Sequence, residues 1–444
     1  MEIQKLLQNK FANANFNEIK EILANKYDLV VKEDTDNPEL YLITLKKNEI
    51  LEKTLGLKKN HEQGQGKDQS PNENVEPQPF LEECHGIILE KNTNKVICYT
   101  FGVGQEYDYD TNDDDANLED YGLQWDNSQV EQSIEGTQLR LYQYQGKWIV
   151  STVRCIDAKR AFWHSQKSFA DLFQEAVQAQ NWEMEGKLTP GHCYALVLQH
   201  PENQIVIKHQ TPQLIHVLSR DLSQKGFPEI DEEIGLPKPK RFEANYFSNF
   251  QDLLKQVKSY QKMDIEGFII KSLDTSNSKR LKIMAEFYRR VKDLRGNITR
   301  GNFIYQYLIL KKNNQIQEYL NYFPEDGKFF RRMENKLQDL IAEIHKQYCK
   351  KFVNKEITMK DVFFQFRPFI YEINGIHLES RMVINKKKVA DEFYKRDPAQ
   401  MSFIYKSFYD EKKPNKYKTS SVPSVPSTLS STGEEITNSQ TDSN

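Results

Sequence analysis

The sequence predicts an α+β fold, antiparallel sheets followed by a helical domain, on three observations. Short alternating apolar runs dominate from Cys84 to about Ile270, polar turns join many of them, and past Lys282 the apolar period becomes helical almost throughout. Short turns suit antiparallel pairing, because parallel neighbours need a long crossover. Helical stretches interrupt the strands at residues 168–180 and 247–260, too few for a regular βαβ alternation.

Taken in order, residues 1–57 carry a helix-period pattern (Ile3, Leu6, Leu7, Phe11, Phe16, Ile19, Ile22, Leu23), then two alternating runs, Tyr27–Val31 and Leu40–Ile43. They predict a helix and a hairpin capping the main sheet. Residues 58–79 are rich in Asn, Gln, Gly, Pro and Lys, which bury too little surface to order, and predict a flexible insertion. A core over 80–290 follows, with strands predicted at Gly86–Leu89, Val96–Tyr99, Leu139–Tyr142, Trp148–Ser151, Tyr194–Leu198, Ile205–Ile207 and Gly267–Ile270. Gln145-Gly146 between two alternating runs predicts a tight hairpin. Residues 291–408 predict a helical domain, in which Leu337, Leu340, Ile341 and Ile344 form one apolar stripe. Residues 409–444, mostly Ser, Thr, Pro and Asn, predict a disordered tail.

Composition narrows the function classes. The chain has 444 residues, 38% of them hydrophobic, and a formal net charge of -3, which fits a soluble chain of several domains and argues against one that coats nucleic acid non-specifically. No window approaches a membrane span, and the start, Met1-Glu2-Ile3-Gln4-Lys5, lacks a signal peptide's layout. An intracellular, cytoplasmic or nuclear monomer is expected. Cys84, Cys98, Cys155, Cys193 and Cys349 follow neither disulfide nor zinc spacing and are expected to pack as small hydrophobes. The acidic run from Glu106 to Asp120 lacks the glycine and terminal glutamate of a calcium loop and is expected to be solvated. His192, His200 and His209 are spaced too irregularly for a metal site.

Five short motifs stand in order. They are Glu83-Cys84-His85-Gly86-Ile87-Ile88-Leu89; Ser133-Ile134-Glu135-Gly136-Thr137 with the hairpin ending at Ser151-Thr152-Val153-Arg154; His200-Pro201-Glu202-Asn203-Gln204-Ile205-Val206; Glu266-Gly267-Phe268-Ile269-Ile270-Lys271; and Arg280-Leu281-Lys282-Ile283. Together they resemble the ATP-dependent RNA ligase family of phages and large DNA viruses, within the superfamily of covalent nucleotidyltransferases, over about residues 20–408. The helical part, with Asn321-Tyr322-Phe323-Pro324-Glu325 and Ile344-His345-Lys346-Gln347-Tyr348, resembles the C-terminal domain of viral members. The sequence departs from the family's pattern in three places. His85 stands where an arginine is usual, Val197 where an acid is common, and Ser133 where the family carries its nucleophilic lysine.

The resemblance implies a ligase-like nucleotidyltransferase domain with a nucleotide cleft between antiparallel sheets. It implies ATP or GTP with Mg²⁺ as cofactors, a nucleoside triphosphate and RNA as partners, and a host-cell setting if the chain is viral. Glu135, Gly136, Arg154, Glu266, Gly267, Arg280 and Lys282 become the nucleotide-binding residues, Lys282 a catalytic cation and Glu266 the metal or ribose ligand. In such enzymes a lysine amine attacks the α-phosphate while fixed cations neutralise the developing charge. With serine at 133 that step is expected to be absent, or moved to Lys147 or Lys159. Arg289, Arg290, Lys292, Arg295 and Arg300 are expected to offer RNA a basic face. The alternatives are a catalytically degenerate RNA-binding or interaction scaffold, and a nucleotidyltransferase acting on another acceptor such as a cap or tRNA end.

Overall fold

The structure, a computed structural model, describes residues 1–11, 14–46, 80–109, 116–163, 165–243, 245–274, 279–296 and 303–411. The predicted insertion at 58–79 and nearly all of the predicted tail lie outside these residues. The chain divides into two compact units, Met1–Gly327 and Lys328–Asn444. The helices between residues 286 and 322 thus pack with the sheets, where the sequence placed the helical domain's start at 291.

Three sheets build the first unit. The first has the order β1(Leu29–Glu33), β2(Leu40–Leu45), β3(His85–Glu90), β4(Val96–Cys98). The second runs β11(Glu229–Ile230), β10(Gln213–Asp221), β9(His192–Gln199), β7(Thr137–Tyr144), β8(Lys147–Thr152). The third runs β12(Arg241–Phe242), β6(Ser128–Ser133), β13(Gly267–Ser272), β14(Arg280–Met284), β5(Gln105–Glu106). Pairing is antiparallel except between β14 and β5. The predicted hairpin β1–β2 therefore joins β3 and β4 in a sheet of its own. At the β7–β8 turn, Gln145 and Gly146 both take positive φ, as a two-residue hairpin requires.

Side-chain alternation sets the layers. On β2, Tyr41, Ile43 and Leu45 face a core with Ile3, Leu7, Ile19 and Leu23, while Leu40 and Leu42 face Tyr142 and Cys193 of the second sheet. The helical residues of that first core come from α1(Glu2–Lys5), the π turn Leu6–Lys10 and α2(Phe16–Tyr27). A capping box between Asn15 and Glu18 starts α2. The short α3(Phe80–Glu83) leads into β3. The other face of the second sheet buries Leu139, Leu141, Leu196 and Leu198 against Leu172, Phe173, Ala176 and Val177 of α4(Phe169–Ala179). Each such buried Leu or Phe contributes about 1.5–3 kcal/mol. Between the first two sheets Arg140 of β7, fully buried, donates to the carbonyls of Gly86 and Thr152.

Two strand expectations change. Residues 205–207 form no strand, because the amides of Val206 and Ile207 bond a side-chain carboxylate instead of a neighbouring backbone. The nine-residue β10 was not predicted; its register shifts at a bulge between His216 and Leu218, which interrupts a clean alternation. α5(Phe250–Ser259), α6(Glu286–Arg295), α7(Phe303–Lys312) and α8(Ile316–Tyr322) complete the first unit. In the second unit α9(Gly327–Tyr348) buries the predicted stripe Leu337, Leu340, Ile341 and Ile344, followed by α10(Arg367–Ser380), α11(Lys386–Tyr394) and α12(Pro398–Glu411).

Candidate functional site

β6 belongs to the third sheet and β7 to the second, so Ile134, Glu135 and Gly136 carry the chain from one sheet to the other. Ser133, the last residue of β6, pairs in register with Gly267, the first residue of β13. Glu266 therefore arrives beside Ser133. The Ser133 hydroxyl donates to Glu266 Oε2 at 2.7 Å, and Lys282 Nζ donates to Oε1 at 2.6 Å. Lys292 Nζ, from α6, stands 3.9 Å from the same Oε1. Three motifs, two of them on the paired strands β13 and β14, thus meet on one carboxylate that is only 6% exposed.

Both glycines at these corners are held at positive φ, +152° at Gly136 and +151° at Gly267. A Cβ at Gly267 would strike the Ile283 carbonyl and lie 2.8 Å from Met284 Cα. One at Gly136 would lie 2.6 Å from Val197 Cγ1, so the valine at the expected acid position packs directly over this glycine. Backbone conformation and space both require glycine here.

Glu135 has a different surrounding. Its carboxylate accepts from the Val206 amide at 3.1 Å, the Ile207 amide at 3.0 and 2.9 Å, and the Tyr288 hydroxyl at 2.6 Å. His209 Nε2 is 3.5 Å away. Burial, then the charges of Glu266 and Glu135, push the Tyr288 phenol far above its ordinary range, so it remains a donor. These bonds make Glu135, one of the expected nucleotide-binding residues, a tie between the 204–209 segment and α6.

The third sheet continues the charge pattern. Glu131 holds Arg241 at 3.1 Å and Lys271 at 2.7 Å, and Glu229 holds Arg280 and, at 3.6 Å, Lys271. Arg280 also lies over the Phe101 ring. Arg154 stands apart. It is exposed, its carbonyl accepts from Lys32 Nζ, and among the described residues no hydrogen bond or ion pair joins it to the Glu266 cluster. Burial, then Arg140 and Arg154, push the neighbouring His85 down to about 4.

Among the described residues, neither expected replacement nucleophile is bonded to the cluster. Lys147 pairs with Tyr144 at the hairpin tip, the far end of β7, about 23 Å along the strand from Thr137. The Lys159 side chain is 74% exposed and 3.6 Å from Asp157. The expected basic face on α6 is also divided. Arg295 is held at 2.6 Å by both Asp326 and Tyr319, Arg290 by Tyr322 at 3.0 Å, Arg289 lies over Tyr109, and Lys292 turns to Glu266. Arg300 lies outside the described residues, as do Asp110, Asp113, Asp114 and Asp115 of the acidic run. Tyr142 is buried and donates to the Ile156 carbonyl at 3.1 Å. Cys84, Cys98 and Cys193 are buried; Cys155 and Cys349 are partly exposed.

Among the described residues no group of three or more His, Cys, Asp or Glu side chains converges to hold a metal. Both oxygens of Glu266, the carboxylate expected to hold a metal, are engaged by Ser133 and Lys282. Among the described residues, no helix is long and apolar enough to cross a membrane.

No family model matches the chain. It is similar to the "Immediate-early protein ICP-46 homolog" of Invertebrate iridescent virus 6, 24% identical over 293 residues, covering 62% of this chain and 59% of that protein's length. The homolog of the same name from Invertebrate iridescent virus 3 is 21% identical over 341 residues, 72% of each chain. Among solved structures it is similar to a putative ATP-dependent DNA ligase from Aquifex aeolicus, with a TM-score of 0.35, 13% identity, and coverage of 74% of this chain and 80% of the other. An archaeal ATP-dependent RNA ligase gives a TM-score of 0.36, 11% identity, and coverage of 72% and 78%. At these scores the likeness carries no argument about activity.

Proposed function

We propose that this protein is an RNA-ligase-like nucleotidyltransferase that binds a nucleoside triphosphate and an RNA end in the first unit, without covalent chemistry at Ser133. The observation that carries this reading is the convergence of Ser133, Lys282 and Glu266, from three separate motifs, on one carboxylate. Lys282, Lys292 and Arg280 offer cations to phosphates, and magnesium comes as part of the substrate, since it leans on phosphate oxygens and keeps several waters. Ser133 is 2% exposed and offers a hydroxyl where the family uses an amine. The similarity to iridescent-virus proteins supports a setting inside an infected cell.

Titration calorimetry with ATP and with GTP in magnesium tests the reading. Saturable binding of either supports it, and no binding of either by the intact protein ends it. The scaffold alternative draws on one specific observation. Lys271, Arg280 and Lys282 each already hold a carboxylate partner, as in a closed internal ion-pair network. Silence in calorimetry would favour it.

A further inference from the structure

We infer that Lys282 is the relocated nucleophile, taking the nucleotidyl group that the family's missing lysine would have taken. The inference rests on the proposed nucleotide-binding role of this same cleft. Its ground is the position of the amine. The Lys282 ammonium and the Ser133 hydroxyl bond the two oxygens of a single carboxylate, at 2.6 and 2.7 Å, so one carboxyl group is all that separates them. A lysine at 133, longer than serine, would send its amine into this same space. Among the described residues, the other amine at this carboxylate is that of Lys292, 3.9 Å from Oε1.

The arrangement is a displacement of roles by one residue. Serine at 133 leaves the strand end without an amine, Lys282 on β14 supplies it, and Lys292 on α6 supplies the phosphate-neutralising cation that Lys282 no longer provides. Lys282 is also more accessible than Ser133, its side chain 26% exposed where the serine is 2% exposed.

The Lys282 ammonium gives one proton to Glu266 Oε1 and becomes a neutral amine. Its lone pair forms the N–P bond to the α-phosphorus of a nucleoside triphosphate while the bond to the bridging oxygen breaks. Pyrophosphate leaves with that electron pair, and the second nitrogen proton passes to solvent. With Glu266 protonated, the Lys292 charge is released toward the phosphate oxygens. The product is a phosphoramidate, labile to acid, whereas attack by Ser133 would give an acid-stable ester.

The test incubates the full chain with α-labelled ATP or GTP and magnesium, followed by denaturing electrophoresis, acid treatment and peptide mapping by mass spectrometry. The expected result is an acid-labile label on the peptide carrying Lys282, reduced about a hundredfold or more in Lys282→Arg, which keeps the charge but not the nucleophile. Mapping on the unaltered chain keeps the test independent of whether the variant folds. Nucleotide binding in calorimetry without any adduct overturns Lys282 and leaves the binding function standing. An acid-stable adduct, or a label on Ser133, Lys147 or Lys159, also overturns it. Absence of both binding and adduct overturns the binding function as well.

Discussion

Two Glu-Gly corners, Glu135-Gly136 and Glu266-Gly267, share a dipeptide, a buried carboxylate and nearly the same glycine φ, yet they do different work. Glu135 is bonded by two backbone amides and a phenol, with His209 Nε2 3.5 Å away, and ties segments of the fold together. Glu266 is bonded by a hydroxyl and a lysine ammonium beside a second ammonium, groups that can move to a phosphate. The backbone makes the corner; the donors that reach the carboxylate decide whether it is structural or chemical. Two neighbouring acids with different partners separate into different roles by this same electrostatic reasoning.

The largest losses of stability are expected at the glycines. Gly267→Ala should destabilise the protein by on the order of 4 kcal/mol, because its Cβ meets backbone that cannot yield, and Gly136→Ala somewhat less, because part of its clash is the Val197 side chain. Chemical denaturation measures both. An unchanged midpoint for either would mean that the corner is not required.

Next come the acids. Glu135→Gln places an amide group against the Val206 and Ile207 donors and should cost about 2–3 kcal/mol, whereas Glu266→Gln, beside the part-exposed Lys282, should stay within about 1 kcal/mol of the parent. Equal losses in denaturation would erase the distinction drawn here.

Ligand binding sharpens it further. Lys282→Ala should weaken nucleoside triphosphate binding at least about tenfold, from the loss of one charge-assisted contact of roughly 1.5–3 kcal/mol. Arg154→Ala, outside the cluster, should change it less than about threefold, within the range of an exposed charge. Calorimetry that ranks Arg154 above Lys282 would move the site toward the hairpin end.

A separate effect is expected on the pH profile. His85 is pushed from 6.5 to about 4 by burial and by Arg140 and Arg154. The unfolded chain binds the proton first, so this contribution is fully present above about pH 6.5 and is lost as the pH falls toward 4. His216, also pushed to about 4 by burial, adds in the same window. His85→Gln should flatten the decline between pH 6.5 and 4 in denaturation curves; an unchanged decline would assign it to other groups.

Local patterns in the sequence were enough for much of the fold. Alternation in β2, β3, β7 and β9, the Gln145-Gly146 turn and the α9 stripe depend on neighbours within a few residues, and these elements form where the pattern places them. The Ser133, Glu266 and Lys282 positions were also legible, through their order in the five motifs. Long-range partners were not. Nothing local marks the amides of Val206 and Ile207 as partners of Glu135, so Ile205–Ile207 reads as a strand, and nothing in the spacing of Arg289 to Arg295 tells which cation turns inward. Local chemistry in the chain was enough for β2, β3, β7, β9, the Gln145-Gly146 turn and the glycines at the two corners, but not for β10, whose bulge breaks the alternation. Only the tertiary structure decided what each carboxylate holds, leaving Lys147 at a hairpin tip and bringing Lys282 and Lys292 to Glu266, because a side chain's partner depends on how strands and helices far apart in sequence are packed together.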